Sequence, residues 1–187
     1  MSQARRIATY ADIDALPRHV TGQIVAGQLY THPRPRSLHA RASSNILRQT
    51  GPFDDDTHGP DDPGGWVILM EPELHLDADV LVPDIAGWRL ERATWPKDCA
   101  FISIAPDWVC EVLSPSTEVL DRSEKMPAYA HHGVKHAWLV DPDTKQLEVY
   151  ELSAGVLRQV GPVFREGSRV VAAPFEAISI ELRRVWG

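Results

Sequence analysis

The chain has 187 residues, two cysteines and a formal net charge of −7 at pH 7. A length in this range predicts one domain, so we expect a polar lead-in at residues 1–20 and a single domain at 21–187. The acidic balance disfavours a protein that coats nucleic acid without sequence preference, because such proteins are usually basic. It leaves room for an enzyme whose active site needs carboxylates, a nuclease included.

No segment has the character of a targeting or membrane-spanning sequence. The first 20 residues lack the apolar stretch of a signal peptide, and no run approaches the roughly 18 apolar residues that span a bilayer. We therefore predict no membrane contact and a cytoplasmic location. Cys99 and Cys110 have no metal-ligand spacing, and we interpret them as small buried thiols in a reducing compartment, with a disulfide or a reactive thiol as the alternative.

The first third of the chain predicts a short helix near residues 11–16, a hairpin and a longer helix. Apolar and polar residues alternate on both sides of Gly27, which favours strands at Gln23–Val25 and Gln28–Tyr30. Ser37 is placed to cap a helix over residues 38–50. One face of that helix is predicted to carry Leu38, Ala42, Asn45, Ile46 and Gln49. An acidic, turn-rich loop follows at 51–65, and it lacks the alternating oxygen ligands of an EF-hand.

The rest of the chain predicts mainly strands, with one helix. Apolar runs indicate strands at 66–76, 79–90 and 101–113, the last two joined by a loop at 92–100. A helix is expected at 121–133, and Pro127 requires it either to start close to Ser123 or to bend there. Further strands are expected at 134–142, 147–153 and 157–163, with one or two more in 170–182. The predicted fold class is α+β with a mixed central sheet flanked by helices and extra hairpins near both termini.

Three charged residues stand out against this background. Asp84 and Glu111 each lie at the end of an apolar run, and Lys125 follows on the predicted helix. Carboxylate oxygens hold hard cations such as Mg²⁺, and an ammonium stabilises charge that develops on a phosphate or on the attacking water. Two carboxylates and one lysine therefore favour metal-assisted cleavage of phosphodiester bonds.

Each of the three also has a simpler interpretation. A Pro-Asp pair such as Pro83–Asp84 also marks ordinary turns, and we interpret Pro106–Asp107 and Pro142–Asp143 as turns. Burial of a lone carboxylate is costly, so Glu111 needs either a metal or an arginine partner. Arginine partners available for Glu111 are Arg89 and Arg92, and Lys125 could form a surface ion pair with Asp121 one helical turn earlier.

A basic stretch and a pair of adjacent histidines are two further groups with chemistry that could serve a function. A basic stretch fits either a solvated loop or an arm that contacts phosphates, and it contains His32, Arg34, Arg36, His39 and Arg41. His131 and His132 adjoin each other at the expected helix end. We do not interpret them as zinc ligands, because neighbouring helical residues point in different directions and no nearby cysteine completes a set.

The ordered set of motifs resembles the Uma-type putative restriction endonuclease family, which has the PD-(D/E)XK nuclease-like fold. The resemblance covers residues from about 20 to 155, and its motifs are GGWVILMEPELHL, LVPDIAGWRLER, PDWVCEVLSPST, DRSEKMPAYAHHGVKHAWLVDP and LEVYEL. It implies a metal-dependent DNA endonuclease that uses Mg²⁺ or Mn²⁺. Cleavage of both strands would call for a homodimer.

The resemblance also implies roles for individual residues. Asp84, Glu111 and the Val112 carbonyl would hold the metal. The lysine expected two positions after the glutamate is absent, because Leu113 stands there, so Lys125 would supply the ammonium.

The chain departs from the family at Gln23. Relatives tend to read G-E-I-x-x-G near the N-terminus, and Gln23 stands here in place of the acid. It can offer a carbonyl oxygen or a hydrogen bond to water but no charge. The alternatives are therefore a weakened or inactive nuclease fold that binds nucleic acid or regulates, and a nuclease that acts on RNA or structured DNA.

Overall fold

The computed structural model describes residues 6–32, 34–92 and 98–187, so the loop predicted at 92–100 lies mostly outside the described residues. No helix in these ranges is long and apolar enough to cross a membrane. The elements are α1 (Tyr10–Asp14), β1 (Thr21–Val25), β2 (Gln28–His32), α2 (Ser37–Thr50), a 3₁₀ turn (Gly51–Phe53), β3 (Trp66–Met70), β4 (Leu74–Leu76), β5 (Asp79–Leu81), β6 (Ile85–Arg89), β7 (Trp108–Val112), α3 (Glu118–Leu120), a π-helical segment (Asp121–Lys125), α4 (Met126–His131), β8 (His136–Asp141), β9 (Gln146–Ser153), β10 (Val156–Gln159), β11 (Phe164–Arg165), β12 (Arg169–Val170), β13 (Ile180–Glu181) and α5 (Leu182–Trp186).

A mixed sheet forms the centre of the molecule, as the sequence predicts. Its strands run in the order β10-β9-β8-β7-β6-β3, with β11 beside β9. The β7–β8 pair is parallel, whereas the other neighbouring pairs are antiparallel. Two neighbouring parallel strands need a connection that crosses from one end of the sheet to the other. The helical stretch 118–131 provides this connection between β7 and β8.

Side chains of β7 alternate between two cores, one on each face of the sheet. Cys110 and Val112 pack with α2 and α5, and Val109 and Leu113 pack with α4 on the opposite face. It follows that Glu111 faces the α4 side, the side on which a second sheet also packs.

The second sheet runs in the order β2-β1-β5-β4 and is antiparallel throughout. Val25, Leu74 and Leu81 of this sheet belong to the same core as α4. The predicted β1–β2 hairpin is confirmed, and it turns at Ala26 and Gly27, which both have positive φ angles of 49° and 73°. The hairpin carries Gln23 on β1 towards the central sheet.

Two of the predicted long strands are each divided, so those predictions are wrong in their extent. The chain turns at Glu71, which has a φ of 47°, and β3 and β4 therefore enter different sheets. It turns again at Val82–Asp84, since Pro83 has no N–H to continue a ladder. In the predicted strand 101–113, only Trp108–Val112 is a strand. These breaks place Asp84 between the two sheets.

The helical stretch after β7 begins at Glu118 rather than close to Ser123. A proline inside a helix clashes with the carbonyl four residues earlier. The segment Asp121–Lys125, immediately before Pro127, is π-helical, and this wider turn relieves the clash. Gly133, with a φ of 78°, ends the stretch as predicted.

The helix α2 is confirmed, but of the five residues predicted for one face only Ala42 and Ile46 are buried, and Leu38, Asn45 and Gln49 are half-buried. Arg36 is the N-cap and Ser37 the first helical residue. His39, not Leu38, begins the buried face, which continues through Ala42, Ser43, Ile46 and Thr50. A polar side chain is therefore directed into the interior.

Candidate active site

Four predicted site residues surround one cavity of about 90 Å³ at the junction of the two sheets. Gln23 comes from β1, Asp84 from the β5–β6 connection, Glu111 from β7 and Lys125 from the π-helical segment. Residues distant in sequence meet here because β1 and β5 pair in one sheet while β6 and β7 pair in the other.

The closest contact in the site joins Lys125 and Glu111. Lys125 Nζ lies 2.6 Å from Glu111 Oε1, and the two side chains are only 3% and 2% exposed. The hydroxyl of Tyr129 donates to the same oxygen at 2.5 Å. Because both donors approach Oε1, the second carboxylate oxygen is left available to another partner.

The proposed arginine partners of Glu111 bind elsewhere. Arg92 Nε donates to Asp107 Oδ2 at 2.8 Å, and the Arg89 guanidinium lies 4.7 Å from the centre of the Trp66 ring. Asp107 is buried and also accepts the Arg89 N–H, so this residue does more than form a turn. The arginine alternative for Glu111 is therefore wrong.

Asp84 is held by both of its oxygens. Oδ2 accepts the Val112 N–H at 2.7 Å, and Oδ1 lies 3.2 Å from His39 Nε2. Val112 thus contacts Asp84 through its backbone N–H. The role of the Val112 carbonyl as a metal ligand stays a prediction. Since Val112 follows Glu111 directly, the same contact fixes the two acids relative to each other.

Asp121 adds a third carboxylate that the sequence analysis treated as a surface partner of Lys125. The predicted pairing is present, with Nζ 3.4 Å from Oδ1, but both side chains are buried. Three carboxylates therefore surround one ammonium. If all three are ionised and His39 is neutral, two negative charges are left uncompensated, which a divalent cation would balance.

Burial and the neighbouring charges shift the pKa values of the side chains in the site. Burial raises the pKa of Glu111 to about 8, with Asp121 and Asp84 adding to the rise and Lys125 opposing it. Burial likewise raises the pKa of Asp121. Burial alone would lower the pKa of Lys125, but Glu111, Asp121 and Asp84 together raise it above its usual value. The lysine is therefore a permanent cation, and Glu111 holds a proton at neutral pH when no metal balances the site.

His39 was predicted as part of the basic stretch, but the structure places it inside the site. Burial acts to lower its pKa, yet the hydrogen bond to Asp84 and the nearby carboxylates raise the pKa overall. Its Nδ1 is buried without a hydrogen-bond partner in the described part of the chain. The ring therefore acts through Nε2, which orients the Asp84 carboxylate.

Gln23 has a structural contact as well as its place at the cavity. Its side chain is buried, and its Oε1 accepts the Val82 N–H at 2.8 Å. This bond joins β1 to the end of β5, two residues before Asp84. One acceptor position of the amide is thus occupied by the backbone, so Gln23 positions the Asp84 turn.

Three of the remaining residues of the basic stretch line the cavity, and the fourth, Arg41, does not. His32, Arg34 and Arg36 line it, and Arg36 pairs with Asp143 at 2.5 Å while staying largely exposed. Arg41 is exposed on α2. The carboxylates are therefore deep and the cations lie outside them.

Several residues of the site were not predicted to belong to it. Tyr129 and Glu71 had no role in the sequence analysis, and His39 and Asp121 were given roles on the surface. Glu71 lines the cavity and donates its N–H to the Asp84 carbonyl at 3.0 Å. The spacing of Asp121 and Tyr129, each four residues from Lys125, is the one pattern that could have placed them on its side of the helix.

The donor set fits a hard divalent cation. Asp84 and Glu111 present carboxylate oxygens to one small cavity, and once Glu111 is ionised the carboxylates of the site outnumber the ammonium of Lys125. Mg²⁺ and Mn²⁺ prefer oxygen ligands and keep several waters when bound, for which the cavity has room.

Comparison with known proteins identifies a family and a solved structure of similar fold. A family model described as "Uma2: Putative restriction endonuclease" matches residues 8–183. A crystal structure of a putative nuclease belonging to DUF820 from Anabaena variabilis is similar in fold, with a TM-score of 0.72 and 21% sequence identity over 96% of this chain and 97% of that chain. No curated protein sequence matches the chain.

Proposed function

The chain belongs to the Uma2 family of putative restriction endonucleases, and from that premise we propose that it is a metal-dependent endonuclease that hydrolyses phosphodiester bonds in DNA. The observation that carries the proposal is the buried ammonium of Lys125 among the carboxylates of Glu111, Asp121 and Asp84. Burial of this much charge costs stability, and groups with strongly shifted pKa values cluster at functional sites.

In the proposal, Asp84 and Glu111 hold Mg²⁺ or Mn²⁺ with the help of the Val112 carbonyl. When bound, such an ion makes a water molecule more acidic and offsets negative charge on the phosphate. His39 fixes the Asp84 carboxylate, and Tyr129 fixes that of Glu111. The two carboxylates are thereby oriented before any ligand arrives, which lowers the cost of binding.

Lys125 is the residue that we assign to the substrate. Its ammonium remains charged because the surrounding acids raise its pKa. It would donate to a non-bridging phosphate oxygen or to the attacking water, and so stabilise the additional charge of the transition state. Gln23 would act by holding the turn that carries Asp84.

DNA is the proposed substrate because the family is described as putative restriction endonucleases, and the exposed cations would meet a phosphate backbone at the cavity. Arg34 and Arg36 line the cavity and are exposed, whereas the carboxylates of Glu111 and Asp121 are buried. The duplex would therefore lie against the outer surface. Cleavage of both strands would require two sites, which we assign to a homodimer in the cytoplasm.

The test is cleavage of supercoiled plasmid, single-stranded DNA and RNA in Mg²⁺ or Mn²⁺. We expect the wild-type protein to cut DNA, and Asp84→Asn and Lys125→Met to lose the activity while they keep the fold by circular dichroism. Lys145→Met is the matched control, because Lys145 forms only an exposed ion pair with Glu166. Cutting that survives both active-site substitutions would refute the assignment.

Gln23 favours a second candidate function, a nucleic-acid-binding or regulatory domain that retains the nuclease fold. The missing charge at this position weakens the case for catalysis, since relatives tend to carry an acid there. Binding of DNA without cleavage of any substrate, in either metal, would support this candidate. Cleavage of RNA in preference to DNA would change the proposed substrate but leave the assignment of the active-site residues as it is.

A further inference from the structure

A second group of metal-ligating side chains lies outside the active-site cavity. Asp77, His131 and His132 each offer one ligand atom, and these atoms all lie within 4.8 Å of one another. From the sequence, the two histidines are not interpreted as zinc ligands, because neighbouring helical residues point in different directions and no nearby cysteine completes a set. The fold supplies a third ligand, since Asp77 lies in the turn between β4 and β5.

The end of α4 carries both histidines. His131 is the last residue of the helix, and His132 follows it with φ −81° and ψ 5°. The two rings lie 5.0 Å apart at an interplanar angle of 71°. Although neighbouring residues diverge on a regular helix, these two rings are close enough for one ion to contact both.

His132 is already oriented for a metal by a carboxylate behind it. Its Nε2 lies 2.9 Å from Asp79 Oδ2, and an ionised carboxylate can only accept, so Nε2 carries the proton. The other nitrogen, Nδ1, faces Asp77 Oδ2 at 3.6 Å. A carboxylate that binds the far nitrogen of a histidine is the usual outer partner of a metal-bound imidazole. Asp79 is itself held, because its Oδ1 accepts the Ala26 N–H at 2.8 Å.

We propose that Asp77, His131 and His132 form a second cation site that binds Zn²⁺ or a similar transition-metal ion, with water completing the coordination. Zinc bonds of about 2.0–2.1 Å in a tetrahedron place ligand atoms about 3.3 Å apart, close to the 3.6 Å between His132 and Asp77. His131 and Asp77 are exposed and can move the rest of the distance. Two imidazoles select zinc over Mg²⁺, so this site differs in chemistry from the oxygen-lined active site.

The position of the site indicates what a bound ion would do. It would tie the end of α4 to the β4–β5 turn and, through Asp79, to the β1–β2 turn. These elements adjoin those that carry Lys125, Asp84 and Gln23. Zinc would therefore stabilise the frame around the active site without touching the reacting groups.

The test is a Zn²⁺ titration of tag-free, chelator-treated protein, followed by calorimetry and thermal unfolding, with excess Mg²⁺ present to occupy the oxygen-lined site. We expect one zinc ion per chain and a higher Tm with zinc. Asp77→Asn and His131→Gln should each weaken the binding about tenfold or more. Both residues are exposed, so the fold should tolerate these changes. His19→Gln, which replaces another exposed histidine, is the matched control and should bind as the wild-type protein does.

Two results would overturn the proposal. One is equal zinc affinity in the wild-type protein and in the Asp77→Asn/His131→Gln double variant, including the case in which neither binds. The other is loss of zinc binding in Asp84→Asn, since this would place the ion in the active site. Retention of binding by Asp84→Asn, with loss in the double variant, would support the second site whether or not the protein cleaves DNA.

Discussion

Lys125 Nζ lies 2.6 Å from Glu111 Oε1, although the lysine belongs to the helical stretch that follows the strand of the glutamate. The position two residues after Glu111 is Leu113, which is buried in the core on the α4 side. The helix therefore delivers the ammonium that the strand does not carry. The long stem of lysine makes this relocation feasible, because the charge can reach the same point from another element.

Lys125→Met should abolish cleavage and lower the free energy of unfolding. Removal of one partner from a buried ion pair typically costs about 3–5 kcal/mol, since the other charge stays buried. We expect this loss at pH 9, where Glu111 is ionised, and a smaller loss at pH 6, where Glu111 holds a proton. Denaturant unfolding at two pH values measures the effect, with Lys145→Met as the control. An equal loss at both pH values would contradict this account.

Binding of Mg²⁺ should strengthen as the pH rises towards 8. Burial raises the pKa of Glu111 to about 8, and a carboxylate must lose its proton to bind a metal. Each pH unit below the pKa reduces the ionised fraction about tenfold, so binding at pH 6.5 should be about 30-fold weaker than at pH 9. Calorimetry in buffers of different ionisation enthalpy would also detect the released proton. Affinity that is constant over this range would exclude Glu111 as a ligand with a raised pKa.

The stability of the metal-free protein should fall as the pH rises. Glu111 has a pKa near 4.5 when unfolded and about 8 when folded, so between these values the folded state binds one proton more than the unfolded state. Stability then decreases with pH by linkage, and the favourable contribution is lost as the pH passes the folded pKa. The difference between wild type and Glu111→Gln should reach a few kcal/mol between pH 5 and pH 9. Parallel pH profiles for the two proteins would show that Glu111 does not titrate in this way.

Gln23→Glu should strengthen metal binding. A carboxylate at this position can still accept the Val82 N–H that Gln23 Oε1 accepts now, and it adds the charge that the resemblance leads one to expect there. We expect a lower Kd for Mg²⁺ and faster cleavage, with some loss of stability in the metal-free protein because another acid is buried. Gln49→Glu, at a half-buried glutamine on α2 away from the cavity, is the control. A higher Kd for Mg²⁺ in Gln23→Glu would mean that Gln23 only holds the turn that carries Asp84.

The sequence could predict the residues whose local context is unusual. Asp84 follows a proline that ends a strand, and Glu111 interrupts an apolar run, so both signals are local. The place of His39 in the site could not be predicted, because it depends on the contact of α2 with the β5–β6 connection. The residues next to His39 in the sequence carry no signal of that contact. The same holds for Asp77, which meets His131 only through the second sheet. The strand break at Glu71 has a local signal that the prediction of one strand over 66–76 passes over, because Glu71, Pro72 and Glu73 interrupt the apolar run there.

Replacement of Arg34 and Arg36 should weaken DNA binding without affecting the metal site. Both line the cavity, and the exposed pair of Arg36 with Asp143 adds little stability. If each arginine contacts one phosphate, the plot of log K for DNA binding against log salt concentration should have a slope about 2 less negative in the Arg34→Gln/Arg36→Gln variant than in the wild-type protein. Arg158→Gln/Arg165→Gln, at two exposed arginines of β10 and β11, is the matched control and should keep the wild-type slope. An unchanged slope in the first variant, with Mg²⁺ affinity intact, would place the DNA on another face of the protein.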